Sequence, residues 1–117
     1  MKKILIVEDI DLNIDLLIQF LEDDYDLVIA KDGAQGVNLA NEALPDLVLM
    51  DISLPGMDGY QAARLIRQSF PKMPIIGLSA HAMQADIQKA IEAGCCDYLT
   101  KPVDDTLLLT KIKTLLG

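Results

Sequence analysis

A chain of 117 residues suits one domain, and with 51% of it hydrophobic that domain can bury a continuous core. The formal net charge of −8 argues against nucleic-acid binding, which needs a basic footprint, and favours metal cations and basic partner surfaces. No apolar run approaches the roughly 18 residues of a membrane span, and the stretch Ile4 to Val7 behind Met1-Lys2-Lys3 is too short for a signal-peptide core. These features argue against a membrane span and a secretory signal, and the cytoplasm is the expected location.

Apolar runs and helical patterns alternate along the chain. Lys3 to Val7 reads as a first strand and Asp11 to Glu22 as a helix. Asp26 to Ala30 is a second strand, followed by a helix from Gly33 to Glu42. Leu47 to Met50 is a third strand and Gly59 to Ser69 a third helix. Pro74 to Leu78 is a fourth strand, with a helix from Met83 to Ala93. Asp97 to Thr100 is a short fifth strand, and Asp104 to Leu116 the last helix. Strands one, three and four are continuously apolar, the pattern of strands covered on both faces of a parallel sheet. Pro45, Pro55-Gly56, Pro71, Gly94 and Pro102 fall where connections are needed. The reading is a doubly wound five-stranded α/β domain with right-handed crossovers. The adjacent pair Cys95-Cys96 has no metal-site or CxxC spacing and reads as two free thiols in a reducing compartment.

Open parallel sheets bind ligands outside the carboxyl ends of their strands. Just past those ends stand Glu8 and Asp9, then Asp51, then Ser79 and Ala80, then Lys101 and Pro102. Three crowded carboxylates repel one another unless cations are supplied. One lysine leaves a charge that a divalent ion neutralises, and an all-oxygen donor set favours Mg²⁺, with Mn²⁺ second, over zinc. A hard metal beside a lysine suits phosphoryl transfer, and a carboxylate can be the nucleophile. Asp51, at the end of a central buried strand, is the best nucleophile, while Glu8 and Asp9 are better placed to hold the metal.

The segments Ile4-Leu5-Ile6-Val7-Glu8-Asp9, Leu49 to Gly59, Leu78-Ser79-Ala80 and Tyr98 to Pro102 carry a family resemblance. In this order, each at a strand end, they resemble the receiver (response regulator) domain of bacterial two-component signal transduction systems, over essentially residues 1–117. The resemblance implies a flavodoxin-like (βα)5 fold with strand order 2-1-3-4-5. It implies that Asp51 accepts a phosphoryl group from a phosphohistidine on a histidine kinase or histidine phosphotransfer protein. By the same likeness Asp9, Asp51 and the Ser53 carbonyl bind Mg²⁺ directly, and Glu8 acts through water. Lys101 would pair with Asp51 and then with the phosphoryl oxygens, across a cis Lys101-Pro102 bond. Ser79 and Tyr98 would form the switch that repacks the α4-β5-α5 surface for a downstream protein target, and Ser53 and His81 would tune phosphate lifetime.

The first helix is apolar on two flanks around a polar arc of Asp11, Asp15, Gln19 and Glu22. Leu12, Leu16 and Phe20 lie on one flank, and Ile10, Ile14, Ile18 and Leu21 on the other. Ile10, Ile14 and Ile18 are the expected docking patch for the histidine-containing partner. Such a domain catalyses its own phosphorylation and slow hydrolysis and has no turnover substrate. Two other activities fit the architecture less well. A flavodoxin-type electron carrier would not place Glu8 and Asp9 at its phosphate loop. A haloacid-dehalogenase-type phosphatase would carry a carboxylate at Ser53. A stand-alone regulator or phosphorelay shuttle is the expected context, with a receiver excised from a hybrid histidine kinase as the alternative.

Overall fold

The computed structural model describes residues 1–54, 58–80 and 84–117. Strand and helix alternate along them as β1 (Lys3–Val7), α1 (Asp11–Leu21), β2 (Asp26–Ala30), α2 (Gly33–Ala43) and β3 (Leu47–Asp51). There follow α3 (Gly59–Ser69), β4 (Ile75–Ser79), α4 (Gln84–Glu92), β5 (Asp97–Thr100) and α5 (Asp105–Leu116). All pairings are parallel, and the strand order is β2-β1-β3-β4-β5. This is the doubly wound architecture that the apolar runs imply.

Small boundary differences have local causes. β3 runs one residue further than expected and takes Asp51 into the ladder opposite Leu78. β4 starts at Ile75 because Pro74 has no N–H to give; its carbonyl still accepts from Val48 N at 2.9 Å. The last helix begins after Asp104, whose carboxylate caps it by accepting from Leu107 N at 2.9 Å. Met83, the expected start of α4, lies outside the described residues.

The pleat divides β1 between two cores. Leu5 and Val7 point to the face covered by Ala40 of α2, Ala62, Ala63 and Ile66 of α3, and Ala90 of α4. Ile4 and Ile6 point to the face covered by Leu17 and Leu21 of α1 and Leu108 and Ile112 of α5. Each fully buried Leu or Ile stabilises the domain by about 1.5–3 kcal/mol, so the central strands anchor it. β1 is followed in space by β2 on one side and β3 on the other. The crevice at that reversal opens at the ends of β1 and β3.

One expectation is corrected. Ile14 is turned inward with Leu17 and Leu21 and is only 5% exposed, so it cannot belong to a docking face. The spacing of those three residues forms the stripe that meets the sheet, which leaves Ile18 half-buried at its edge. The apolar side chains that α1 presents to solvent are Leu12 and Leu16, on the opposite flank, together with Ile10 just ahead of the helix.

The cysteines are free and differ sharply: Cys95 is buried and Cys96 exposed. Burial pushes the Cys95 thiol up to about 12, and the Cys96 sulfur beside it adds to the rise. Cys95 therefore stays protonated at neutral pH, and the thiolate is the reactive form. A disulfide reagent should label one thiol quickly in the native domain and the second only after unfolding. Equal, rapid labelling of both in native buffer would contradict this packing.

Candidate functional site

Glu8 follows β1 without leaving the sheet, since its amide donates to Ala30 O at 2.9 Å. Its carboxylate is wholly buried. One oxygen, Oε2, accepts from the amides of Asp9 (3.0 Å) and Ile10 (3.2 Å); the other, Oε1, accepts from Lys101 Nζ at 2.7 Å. Glu8 thus ties the β1–α1 turn to the end of β5. The turn has no other side-chain cap, because Ile10 occupies the N-cap position of α1. Asp9 is not spent on capping, and it lines the crevice.

Asp51 ends β3 and is 2% exposed. Its Oδ1 accepts from Ser53 N at 3.0 Å, and its Oδ2 lies 3.3 Å from Lys101 Nζ. The backbone after it is held by Gly59 at the start of α3. Gly59 N donates to Ile52 O at 3.2 Å, and a Cβ there would sit 2.5 Å from Ile52 Cα. Only glycine lets α3 approach the backbone of Asp51 and Ile52 so closely.

Oxygens of Glu8, Asp9 and Asp51 all lie within 4.8 Å of one another. Lys101 is the ammonium set among them. The sequence pairs it with Asp51, but the shorter contact is to Glu8, so the lysine bridges the two buried carboxylates. Burial alone would lower its pKa. The Glu8 hydrogen bond and the charges of Asp51 and Glu8 outweigh that cost and leave it raised above its ordinary value. The Lys101-Pro102 bond is cis, as expected.

Ser79 ends β4 and is 3% exposed, opposite Thr100. Tyr98 lies opposite Gly77 and is half-buried against the α3–α4 core. A Cβ at Gly77 would come within 3.5 Å of the Tyr98 ring, so this glycine leaves room for the aromatic. Ser53 lies on the crevice wall with Asp9, Asp51 and Lys101. Ile10 is also on that wall, whereas Ile14 and Ile18 are not among its lining residues. His81 and the segment 55–57 lie outside the described residues. The structure brings one further polar residue to the crevice that strand-end reasoning missed: Asn13, from the first turn of α1.

Chemically, the crevice offers a buried carboxylate, two more carboxylates with a formal excess of negative charge, and one fixed ammonium. That combination fits an oxygen-coordinated divalent cation and a nucleophilic carboxylate oxygen.

The family model for the response regulator receiver domain matches residues 4–113 of this chain. The polar-differentiation response regulator DivK of Brucella ovis is 33% identical over 119 residues, covering 99% of this chain and 97% of its own. Other curated relatives, 33% identical over 116 residues, are longer proteins, and the chain spans 26% of their length. Among solved structures, the receiver domain of the sensor histidine kinase PA1611 from Pseudomonas aeruginosa matches with TM-score 0.92 and 36% identity, over 99% of this chain and 98% of that one. It carries a magnesium ion in its active-site cleft. The co-crystal structure of the Saccharomyces cerevisiae histidine phosphotransfer protein Ypd1 with the receiver domain of Ssk1 matches with TM-score 0.89 and 35% identity, over 96% of this chain and 86% of the matched one.

Proposed function

The chain belongs to the response regulator receiver domain family, a phosphoacceptor signalling module, and on that premise we propose that Asp51 is its acceptor, charged by a phosphohistidine of a histidine kinase or phosphotransfer protein. One observation carries the assignment. A buried carboxylate closes the central strand, 3.3 Å from a lysine and within 4.8 Å of oxygens on Glu8 and Asp9.

The donor set fits Mg²⁺, or Mn²⁺, because it contains only oxygens and carries a formal excess of negative charge. Asp9, Asp51 and the Ser53 carbonyl would hold the ion, with Glu8 reached through water, and the magnesium of the PA1611 receiver supports that choice. When bound, the cation offsets charge on the transferring phosphoryl group. The chain supplies the rest. An Asp51 oxygen forms the new O–P bond as the N–P bond of the donor breaks. Lys101 holds the acceptor oxygen in line and then pairs with a phosphoryl oxygen. Phosphorylation adds about −1.5 to −2 charges and three acceptor oxygens, which the Ser79 hydroxyl can meet only in the modified state. Tyr98 then follows Ser79, and the α4-β5-α5 surface changes for a downstream protein. Ser53, two residues after the acceptor, and His81, two residues after the Ser79 hydroxyl, tune how long the phosphate lasts. The transfer and slow hydrolysis are self-catalysed, without a turnover substrate. Two free thiols suit a reducing compartment, which supports the cytoplasm.

The test is to expose the domain to acetyl phosphate with Mg²⁺, trap the product by borohydride reduction and map the modified residue. One added phosphoryl group on Asp51 is the expected result; modification elsewhere refutes the assignment.

The Ypd1–Ssk1 receiver complex supports a histidine-containing partner protein. Leu12 and Leu16, 70% and 41% exposed, and Ile10 at the crevice edge are the apolar side chains available for such docking. Leu16→Glu should slow transfer from the partner about tenfold, the effect of losing roughly 1.4 kcal/mol of contact, and leave acetyl phosphate labelling unchanged. Ile14→Asn should lower the urea midpoint and depress both reactions. Equal slowing of both donors by Leu16→Glu would remove that residue from the docking face.

A further inference from the structure

Asn13 lines two cavities at once. One is the acidic crevice with Asp9, Asp51 and Lys101; the other is an apolar pocket between α1 and the chain after β5, walled by Leu16, Phe20 and Val103. Its side chain is half-buried and makes no hydrogen bond among the described residues. Glu8, Asp51 and Lys101 are already engaged with one another, and Asp9 belongs to the cation set. The carboxamide is therefore a neutral donor and acceptor held ready on the boundary between a charged cleft and an apolar shelf. Phosphoryl oxygens have stronger partners in Lys101 and the cation. A flat ring with one polar N–H, lying on the apolar shelf, matches the position better.

We propose that Asn13 recognises the imidazole of the phosphoryl donor, with Oδ1 accepting from the ring N–H remote from phosphorus. This rests on Asp51 being the phosphoacceptor. In the transfer the N–P bond breaks, its electron pair returns to the ring nitrogen, and the O–P bond to Asp51 forms. The remote nitrogen keeps its proton, so neutral imidazole departs rather than the much poorer imidazolate. An acceptor fixed at that N–H favours the protonated donor and sets the ring for in-line attack.

Small donors separate this role from protein docking. Phosphoimidazole carries the ring without a partner surface, and acetyl phosphate lacks the ring. Asn13→Ala, an exchange that favours helix, should label about tenfold more slowly with phosphoimidazole, the effect of one lost hydrogen bond, and within about twofold of wild type with acetyl phosphate. The alkaline fall of the phosphoimidazole rate should move to lower pH. Asn13→Asp, which keeps an acceptor oxygen, should restore most of the ratio between the two donors. An unchanged donor ratio in Asn13→Ala, with Asp51 still labelled, overturns the role of Asn13 alone. Failure of either donor to label wild-type Asp51 overturns the phosphoacceptor reading and this inference with it.

Discussion

Acetyl phosphate and Mg²⁺ should add one phosphoryl group to the wild-type domain and none to Asp51→Asn. The amide oxygen is a far weaker nucleophile than a carboxylate, and no neighbouring group can activate it. The substitution should leave the fold intact. The new carboxamide has nearly the volume of the carboxylate, and its oxygen can still accept the Ser53 amide that Asp51 accepts at 3.0 Å. It also removes one of three clustered carboxylates while Lys101 remains, so the pull on a divalent ion weakens. Intact-mass measurement reads the result directly. Full labelling of the folded variant would take the acceptor role away from Asp51.

Lys101→Ala should be the most destabilising single change at the site. Glu8 is wholly buried, and Lys101 is its ion-pair partner at 2.7 Å. Removing one member of a buried pair leaves an uncompensated charge, a loss of about 3 kcal/mol. The same change makes the cluster more negative, so added Mg²⁺ should recover more stability in the variant than in wild type. Urea midpoints in chelator and in Mg²⁺ measure both effects. Equal Mg²⁺ responses would show that the lysine does not balance the carboxylates. Alkaline titration gives an independent check. The folded-state pKa of Lys101 is raised above 10.5, so its contribution is complete below pH 10.5 and is lost as pH rises through the folded value. Wild type should lose stability in that range more steeply than Lys101→Ala.

The fold was legible because the buried strands are uninterrupted apolar runs. Leu47 to Met50 and Ile75 to Leu78 have no polar residue to expose, so they demand cover on both faces. The site was legible because its residues stand at strand ends: Glu8 directly after β1, Asp51 closing β3 and Lys101 directly after β5. Strand ends say which residues meet, and not how closely. The preference of Lys101 for Glu8 depends on which carboxylate is buried deeper and already holds backbone amides. Helix α1 was ambiguous for a different reason. It is apolar on two flanks, and periodicity cannot tell which flank meets Ile4 and Ile6. The packed helix turns Ile14, Leu17 and Leu21 inward and leaves Leu12 and Leu16 outside. Asn13 escaped notice because it reaches the crevice from a helical turn and not from a strand end.

The proposed phosphoryl transfer to Asp51 would require a cation held by the carboxylates around Lys101. Titrating ¹⁵N-labelled protein with Mg²⁺ tests this most directly, with Asp9→Asn as the control. Saturable shifts confined to the amides near Glu8, Asp9, Asp51, Ser53 and Lys101, weakened at least several-fold in Asp9→Asn, are the predicted result. No saturable shift at these amides, or the same affinity without the Asp9 carboxylate, would contradict it.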